Sequence, residues 1–178
     1  SNNQLPFEDE EFETDFSNAF YWINDIESIL KEAKRICTKN GKIIIFVPDQ
    51  KFKDSLIYNQ FLKGGYTWAK ILDRGIYKNT KHCYALSKWK TILSNVGLKI
   101  EQHSNYATEK LTKIWSIGMR PYSPFIIEMA NTLKLNERTK IKKRVVSEIF
   151  PILRSYLDFE LNSVGRNNCF HMFMLTKK

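Results

Sequence analysis

Glycine is scarce at the front of this chain: seven glycines occur in 178 residues, and none precedes Gly41. A glycine-rich loop that cradles a phosphate or lets the backbone approach a cofactor is therefore excluded from everything before that residue. Cysteine is also sparse. Cys37, Cys83 and Cys169 are far apart with no C-x-x-C pair, which argues against a disulfide scaffold and reads as a reduced, cytoplasmic protein. The three histidines, His82, His103 and His171, have no cysteine or carboxylate at ligand spacing, so no metal site is expected. No run approaches the roughly 20 apolar residues that cross a bilayer, nothing resembles a signal peptide, and no membrane partner is expected. Acidic residues number 19 against 28 Lys and Arg, a net charge of +9; the excess suits nucleic acid or an acidic surface, and it is also common in lysine-rich proteomes.

What is present is concentrated between Leu5 and Pro48. Apolar residues at Ile26, Ile29, Leu30, Ala33, Ile36 and Cys37 form one helical stripe. Asn24 is placed to cap that helix with Glu27 bonding back, and Gly41 to stop it in the left-handed conformation. Then comes Ile43-Ile44-Ile45-Phe46-Val47, an unbroken apolar run of the kind found in parallel strands covered on both faces. With a short strand over Phe12–Ser17 in front, the segment reads as a βαβ unit. Ligands collect at the carboxyl ends of such strands, which makes Ser17–Trp22 and Pro48–Lys53 the candidate segments. Glu8, Asp9, Glu10 and Glu11 read as a solvated turn.

The pieces Leu5-Pro6-Phe7, Phe12-Glu13, Ser17-Asn18-Ala19, Arg35 to Gly41 and Ile43 to Pro48 follow one another in fixed order. Together they resemble the second half of the class I S-adenosylmethionine-dependent methyltransferase core, over about a quarter of the chain. Glu13 stands where that family has Asp, Asn40 where it has the first Gly, and the turn after Ala19 is one residue short. The resemblance implies an α/β fold, a Rossmann-like methyltransferase sheet present as its second half, with S-adenosylmethionine as cofactor. It implies Leu5, Pro6 and Phe7 near the adenine, and Ser17, Asn18, Ala19 and Phe20 under the sulfonium and methionine end; a plain strand-to-helix turn is the other reading of the latter four. The family's glycine-rich loop and ribose-binding acid would precede Leu5, so the sequence is expected to be part of a longer chain. An unpaired edge along Phe12–Ser17 would otherwise be a template for aggregation.

Further along, a helix is expected over Lys51–Leu62, broken at Gly64-Gly65, then an aromatic, basic stretch. Trp68, Tyr77 and Tyr84 read as packing aromatics or, by the resemblance, as walls of a substrate pocket. Ser87 is placed to cap a helix bearing Trp89, Ile92, Leu93 and Val96 and stopped by Gly97, followed by a strand near 98–106. Residues 107–168 read as a helical cap or substrate-selecting insertion, with a helix to Ile117, a second from Ser123-Pro124, and a third after Asn136 kinked at Pro151. A last strand near 169–176 completes a core of 1–106 and 169–178; the resemblance implies that it inserts antiparallel between the two strands before it. The cap is expected to face Pro48–Lys53 and to turn Trp115, Arg120 and Tyr122 toward a methyl acceptor, with Arg120 as an anion clamp or a plain connector. Arg138, Lys140, Lys142, Lys143 and Arg144 read as a solvated helix face with Ile141, Val145 and Val146 inward, or as phosphate contacts.

Methyl transfer needs little acid–base machinery, because the donor arrives activated and the protein aligns the attack and excludes water. The lack of a catalytic dyad is thus compatible with it, and no catalytic residue is assigned; His82 is the candidate if a base is required, and His171 reads as a core residue. The function expected is a methyltransferase for a small-molecule acceptor, with this segment alone inactive. A non-catalytic methyltransferase-like binding or scaffold module is the alternative. A methyltransferase acting on RNA or another nucleic acid is third, on charge alone.

Overall fold

Alternation within the run Ile43–Val47 decides how the sheet is covered. In the computed structural model, which describes residues 4–117, 128, 130–162 and 168–178, Ile43, Ile45 and Val47 are completely buried while Ile44 and Phe46 are half-buried. One face of this strand is therefore sealed by helices, and the other carries an aromatic row. The expectation of equal burial on both faces is corrected accordingly.

Four strands form the sheet: β1 (Phe12–Ser17), β2 (Cys37–Pro48), β3 (Leu98–Thr108) and β4 (Asn168–Lys177), in the order β1-β2-β4-β3. β1 and β2 are parallel, and β4 runs antiparallel between β2 and β3, as the sequence led us to expect. The carboxyl ends of β1, β2 and β3 consequently meet the start of β4 along one edge of the sheet. The helices are α1 (Ile26–Ile36), α2 (Asn59–Lys63), α3 (Thr67–Asp73), α4 (Ile76–Asn79), α5 (Leu86–Asn95), α6 (Glu109–Ile117) and α7 (Leu135–Asn162).

The sealed face is the main core. Ile26, Ile29, Leu30 and Ala33 of α1 and Trp89, Ile92 and Leu93 of α5 pack on Ile43, Ile45, Val47, Phe173 and Leu175. Leu30, Trp89 and Leu93 are wholly inaccessible to solvent, and each such side chain contributes about 1.5–3 kcal/mol of burial. On the opposite face, Phe16, Phe46, Tyr106 and Phe170 follow one another at 5.3–5.4 Å between ring centroids.

Several local expectations change. The cap of α1 is Asp25, whose carboxyl oxygen accepts from the Ser28 N–H at 3.0 Å; Asn24 turns instead to the Lys81 ammonium. Gly41 does not end α1. The helix stops at Ile36, Cys37 is already extended, and Phe12 pairs with Cys37 while Thr14 pairs with Lys42, so that residues 38–41 bulge out of the ladder. A side chain at Gly41 would come within 2.5 Å of Cys37 Sγ and 2.9 Å of the Glu13 carbonyl. Close approach, not handedness, requires glycine there.

Phe52 and Leu56 lie one helical turn apart and bury together with Cys169, which is why residues 51–62 read as helical. Their backbone bonds mix three- and four-residue spacings, and regular helix begins only at Asn59. α5 starts at Leu86 with Ala85 at the cap position and no side-chain bond, so Ser87 lies inside its first turn; Gly97 does stop it, at φ +76°. β3 runs on to Thr108 before α6 begins. α7 is continuous through Pro151, and its Ile141 and Val146 are about half exposed, so they do not face a core as the basic-face reading supposed. Among the described residues, no helix is long and apolar enough to cross a membrane.

Candidate functional site

The site is assembled where the strand ends meet. At the end of β1 the Ser17 hydroxyl accepts from the Ala19 N–H at 3.2 Å, and the chain enters a short 3-10 turn over Phe20–Trp22. Phe20 drops into the core, which leaves Asn18 and Tyr21 on the outer side. The turn is clamped from behind: the Tyr21 carbonyl accepts from the N–H groups of Lys81 and His82, and His82 bridges the Ile23 carbonyl at 2.7 Å and the Tyr84 hydroxyl at 2.8 Å.

At the end of β3, Ala107 is held at φ +56°, a left-handed conformation that costs a residue with a Cβ roughly 1–2 kcal/mol. It redirects the chain from strand to helix. The Thr108 hydroxyl then accepts from the Leu111 N–H at 3.1 Å and caps α6. Ser116 fixes the far end of α6 by accepting from the Ile57 N–H at 3.1 Å, and Trp115 lies against Phe52, whose ring meets Phe170 edge-on at 5.0 Å.

These elements enclose a cleft of about 380 Å3, lined by Asn18, Tyr21, Phe46, Tyr106, Ala107, Leu111, Thr112, Trp115 and Phe170. That volume suits a small molecule. Burial raises the Tyr106 phenol well above its ordinary range, with neighbouring Tyr21 adding to the effect. Tyr21 is raised as well, by burial first and then by Cys83. Both phenols are therefore neutral hydrogen-bond donors at physiological pH. Thr112 is 1% exposed, and its Oγ1 has no hydrogen-bond partner among the described residues.

Beneath the cleft, on the sealed face, the sheet carries a polar cluster. Asp49 Oδ2 lies 3.0 Å from His171 Nε2, and His171 Nδ1 lies 2.8 Å from the Asn105 amide oxygen and 3.2 Å from His103 Nε2. Burial lowers the His171 pKa, with Asp49 opposing. His103 is lowered by burial and then by His171. The cluster joins β2, β3 and β4 at the level of the site without lining the cleft. It supports the strand ends.

Of the residues expected from sequence, Asn18 and Trp115 line the cleft, and Ser17, Ala19 and Phe20 flank it. Leu5, Pro6 and Phe7 are not brought to it. They sit at the amino end of β1, where the Leu5 N–H donates to Glu32 and the Leu5 and Phe7 carbonyls accept from Arg35. Trp68 belongs to a separate aromatic group with Tyr58, Phe61 and Tyr66. Tyr77 lines a different hollow with Leu62 and Asp73, and Tyr84 packs on Trp89 behind the sheet. Arg120 and Tyr122 lie outside the described residues. Tyr21 lies within the candidate segment Ser17–Trp22, whereas Phe46, Tyr106, Thr112 and Phe170 were missed from the sequence. The shared signal of the aromatic three was position: each lies within a few residues of a strand end at the carboxyl edge.

Comparison with known proteins bears on the fold. A methyltransferase domain family model matches residues 1–45, which include β1, the Asn18 turn and α1. No curated protein matches the sequence. Among solved structures, an S-adenosylmethionine-dependent methyltransferase of Thermotoga maritima aligns at a TM-score of 0.50 and 15% identity, over 100% of this chain and 62% of that one. The [4+2]-cyclase SpnF aligns at a TM-score of 0.51 and 10% identity, over 99% and 54%. At these identities the likeness shows the fold, and this chain spans less than two thirds of either structure.

Proposed function

We propose that the whole protein is a class I S-adenosylmethionine-dependent methyltransferase, a reading supported by the methyltransferase domain model that matches residues 1–45, and that it transfers a methyl group to a small-molecule acceptor held in the cleft between Asn18, Tyr21 and Trp115. The observation that supports this most is the location of the cleft. It opens at the carboxyl ends of β1 and β2, with Asn18 contributed by the segment that matches the family.

The residues present fit a sulfonium donor: among the described residues the lining holds aromatic rings, neutral phenols and an unpartnered hydroxyl, with no Lys, Arg or His to repel a cation. S-adenosylmethionine, when bound, supplies an activated methyl group. Ser17, Asn18 and Ala19 would hold it at the end of β1. Phe46, Tyr106 and Phe170 exclude water from the reacting centre, and Trp115, fixed through α6, positions the acceptor. Cys37, Cys83 and Cys169 are all unpaired, which fits a reduced, cytoplasmic setting.

Calorimetric titration of S-adenosylhomocysteine into the full-length gene product tests the reading. Saturable binding that Asn18→Leu weakens at least tenfold is expected. Binding that is absent, or indifferent to Asn18, leaves the alternative of a non-catalytic module.

A further inference from the structure

We propose that the cleft takes its methyl acceptor as an uncharged amine and holds the resulting ammonium on aromatic ring faces. The inference rests on the methyltransferase reading above and specifies its substrate class.

Two features of the lining carry it. First, Tyr21, Phe46, Tyr106, Trp115 and Phe170 surround the space, and no residue with a formal charge lines it among the described residues, in a chain of net charge +9. An anionic acceptor would find no cation there, whereas ring faces attract a positive centre, Trp most strongly. Secondly, among the described residues the same lining contains no general base: its titratable groups there are the two phenols, both shifted away from ionisation by burial. An alcohol, a phenol or a carbon acid must lose its proton to become a good nucleophile, and none of the described lining residues takes it. An uncharged amine needs no such help.

Charge conservation matches the chemistry to the cage. The amine nitrogen's lone pair forms the new C–N bond as the donor's C–S bond breaks, and the electrons of that bond remain on sulfur. One positive charge thus moves from sulfur to nitrogen and none is created or destroyed. A tertiary acceptor ends as a quaternary ammonium; a primary or secondary one ends as a protonated amine that releases its proton to water. An environment of ring faces favours the cation before and after transfer. The phenol of Tyr106 and the unpartnered hydroxyl of Thr112 remain available to the acceptor's own polar groups.

Three soluble probes of the same bulk separate the alternatives: choline, its uncharged carbon isostere 3,3-dimethylbutan-1-ol, and the anion 3,3-dimethylbutanoate. Each is titrated calorimetrically into the full-length gene product saturated with S-adenosylhomocysteine, whose own binding is measured first, and also without it. Choline is expected to bind at least tenfold tighter than the alcohol, with the carboxylate weakest. Trp115→Leu and Tyr106→Leu should each cost at least fivefold in choline affinity, while Trp115→Phe and Tyr106→Phe, which keep a ring, should cost less than their leucine counterparts. Equal affinity for choline and the alcohol, or a preference for the carboxylate, overturns the inference. If S-adenosylhomocysteine binds and choline shows no preference, the amine assignment falls and the methyltransferase reading stands. If choline is preferred and S-adenosylhomocysteine does not bind, the cation cage stands and the methyltransferase reading falls.

Discussion

Thr112 is the sharpest place to separate what stabilises the fold from what serves the cleft. Its side chain is 1% exposed, it lines the cleft, and Oγ1 is without a partner among the described residues. A buried hydroxyl left unsatisfied costs about 1–3 kcal/mol. Thr112→Val keeps the shape and removes the oxygen, so the ligand-free protein should gain about 1 kcal/mol. For a domain of this size that corresponds to a rise in Tm of roughly 2–4 °C, readable by calorimetry or by thermal denaturation followed by circular dichroism. The same variant should bind cleft ligands less tightly, because the oxygen retained at a cost to stability is then missing from recognition. Thr112→Ser keeps the oxygen and loses a methyl group, and should be destabilised by about 1 kcal/mol. A fall in Tm for Thr112→Val would show that the hydroxyl is satisfied after all and would refute the argument.

Other outcomes follow from the same structure. Gly97→Ala places a Cβ at φ +76° and within 2.5 Å of Lys34 Nζ, whose ammonium bonds the Val96 carbonyl; a loss of about 1–2 kcal/mol is expected in urea denaturation, and an unchanged midpoint would contradict it. His103 and His171 are both held below their ordinary pKa in the folded state, so the unfolded chain binds more protons as pH falls. Stability should therefore be complete above about pH 6.5 and decline as pH drops below it toward the lowered folded values. Urea titrations at several pH values check the slope, which should shrink in His171→Asn; a stability that rises on acidification would reverse the sign. Ala107→Gly should relieve the left-handed strain at the end of β3 and raise the urea midpoint by the equivalent of about 0.5–1 kcal/mol, and a lower midpoint would show that the methyl group packs more than it strains.

The sheet was legible because its signals are local. The stripe Ile26–Ile36, the apolar run Ile43–Val47 and the stop at Gly97 each fix one element, and their order gave the parallel pair, while the place of the inserted antiparallel strand came from the family resemblance. Where two residues compete for one role, sequence alone chose wrongly: Asn24 and Asp25 are both good caps, and only the position of Lys81 shows why Asn24 is otherwise engaged. Gly41 resembles a helix stop in any sequence reading, since its need for space comes from Cys37 and Glu13 folding over it.

The cleft was legible only in part. Asn18 follows a strand and lies in a recognisable turn, so its place was inferable. Phe46 and Phe170 sit inside apolar strands, and which face they take depends on register against β4. Trp68, Tyr77 and Tyr84 carry the same aromatic signal as Trp115 but pack elsewhere, on α2–α4 and behind the sheet. Composition cannot tell these cases apart; the Ser116 bond that anchors α6 over Phe52 can.

The central claim is that the donor and acceptor meet in the cleft closed by Trp115. Fluorine NMR of the full-length gene product labelled with 5-fluorotryptophan tests it directly, with Trp22, Trp68, Trp89 and Trp115 assigned by single Trp→Phe variants. Addition of S-adenosylhomocysteine should move the Trp115 resonance and leave that of Trp68, in its separate aromatic group, unchanged. A shift of Trp68 with Trp115 stationary, or no shift at either, would contradict the account.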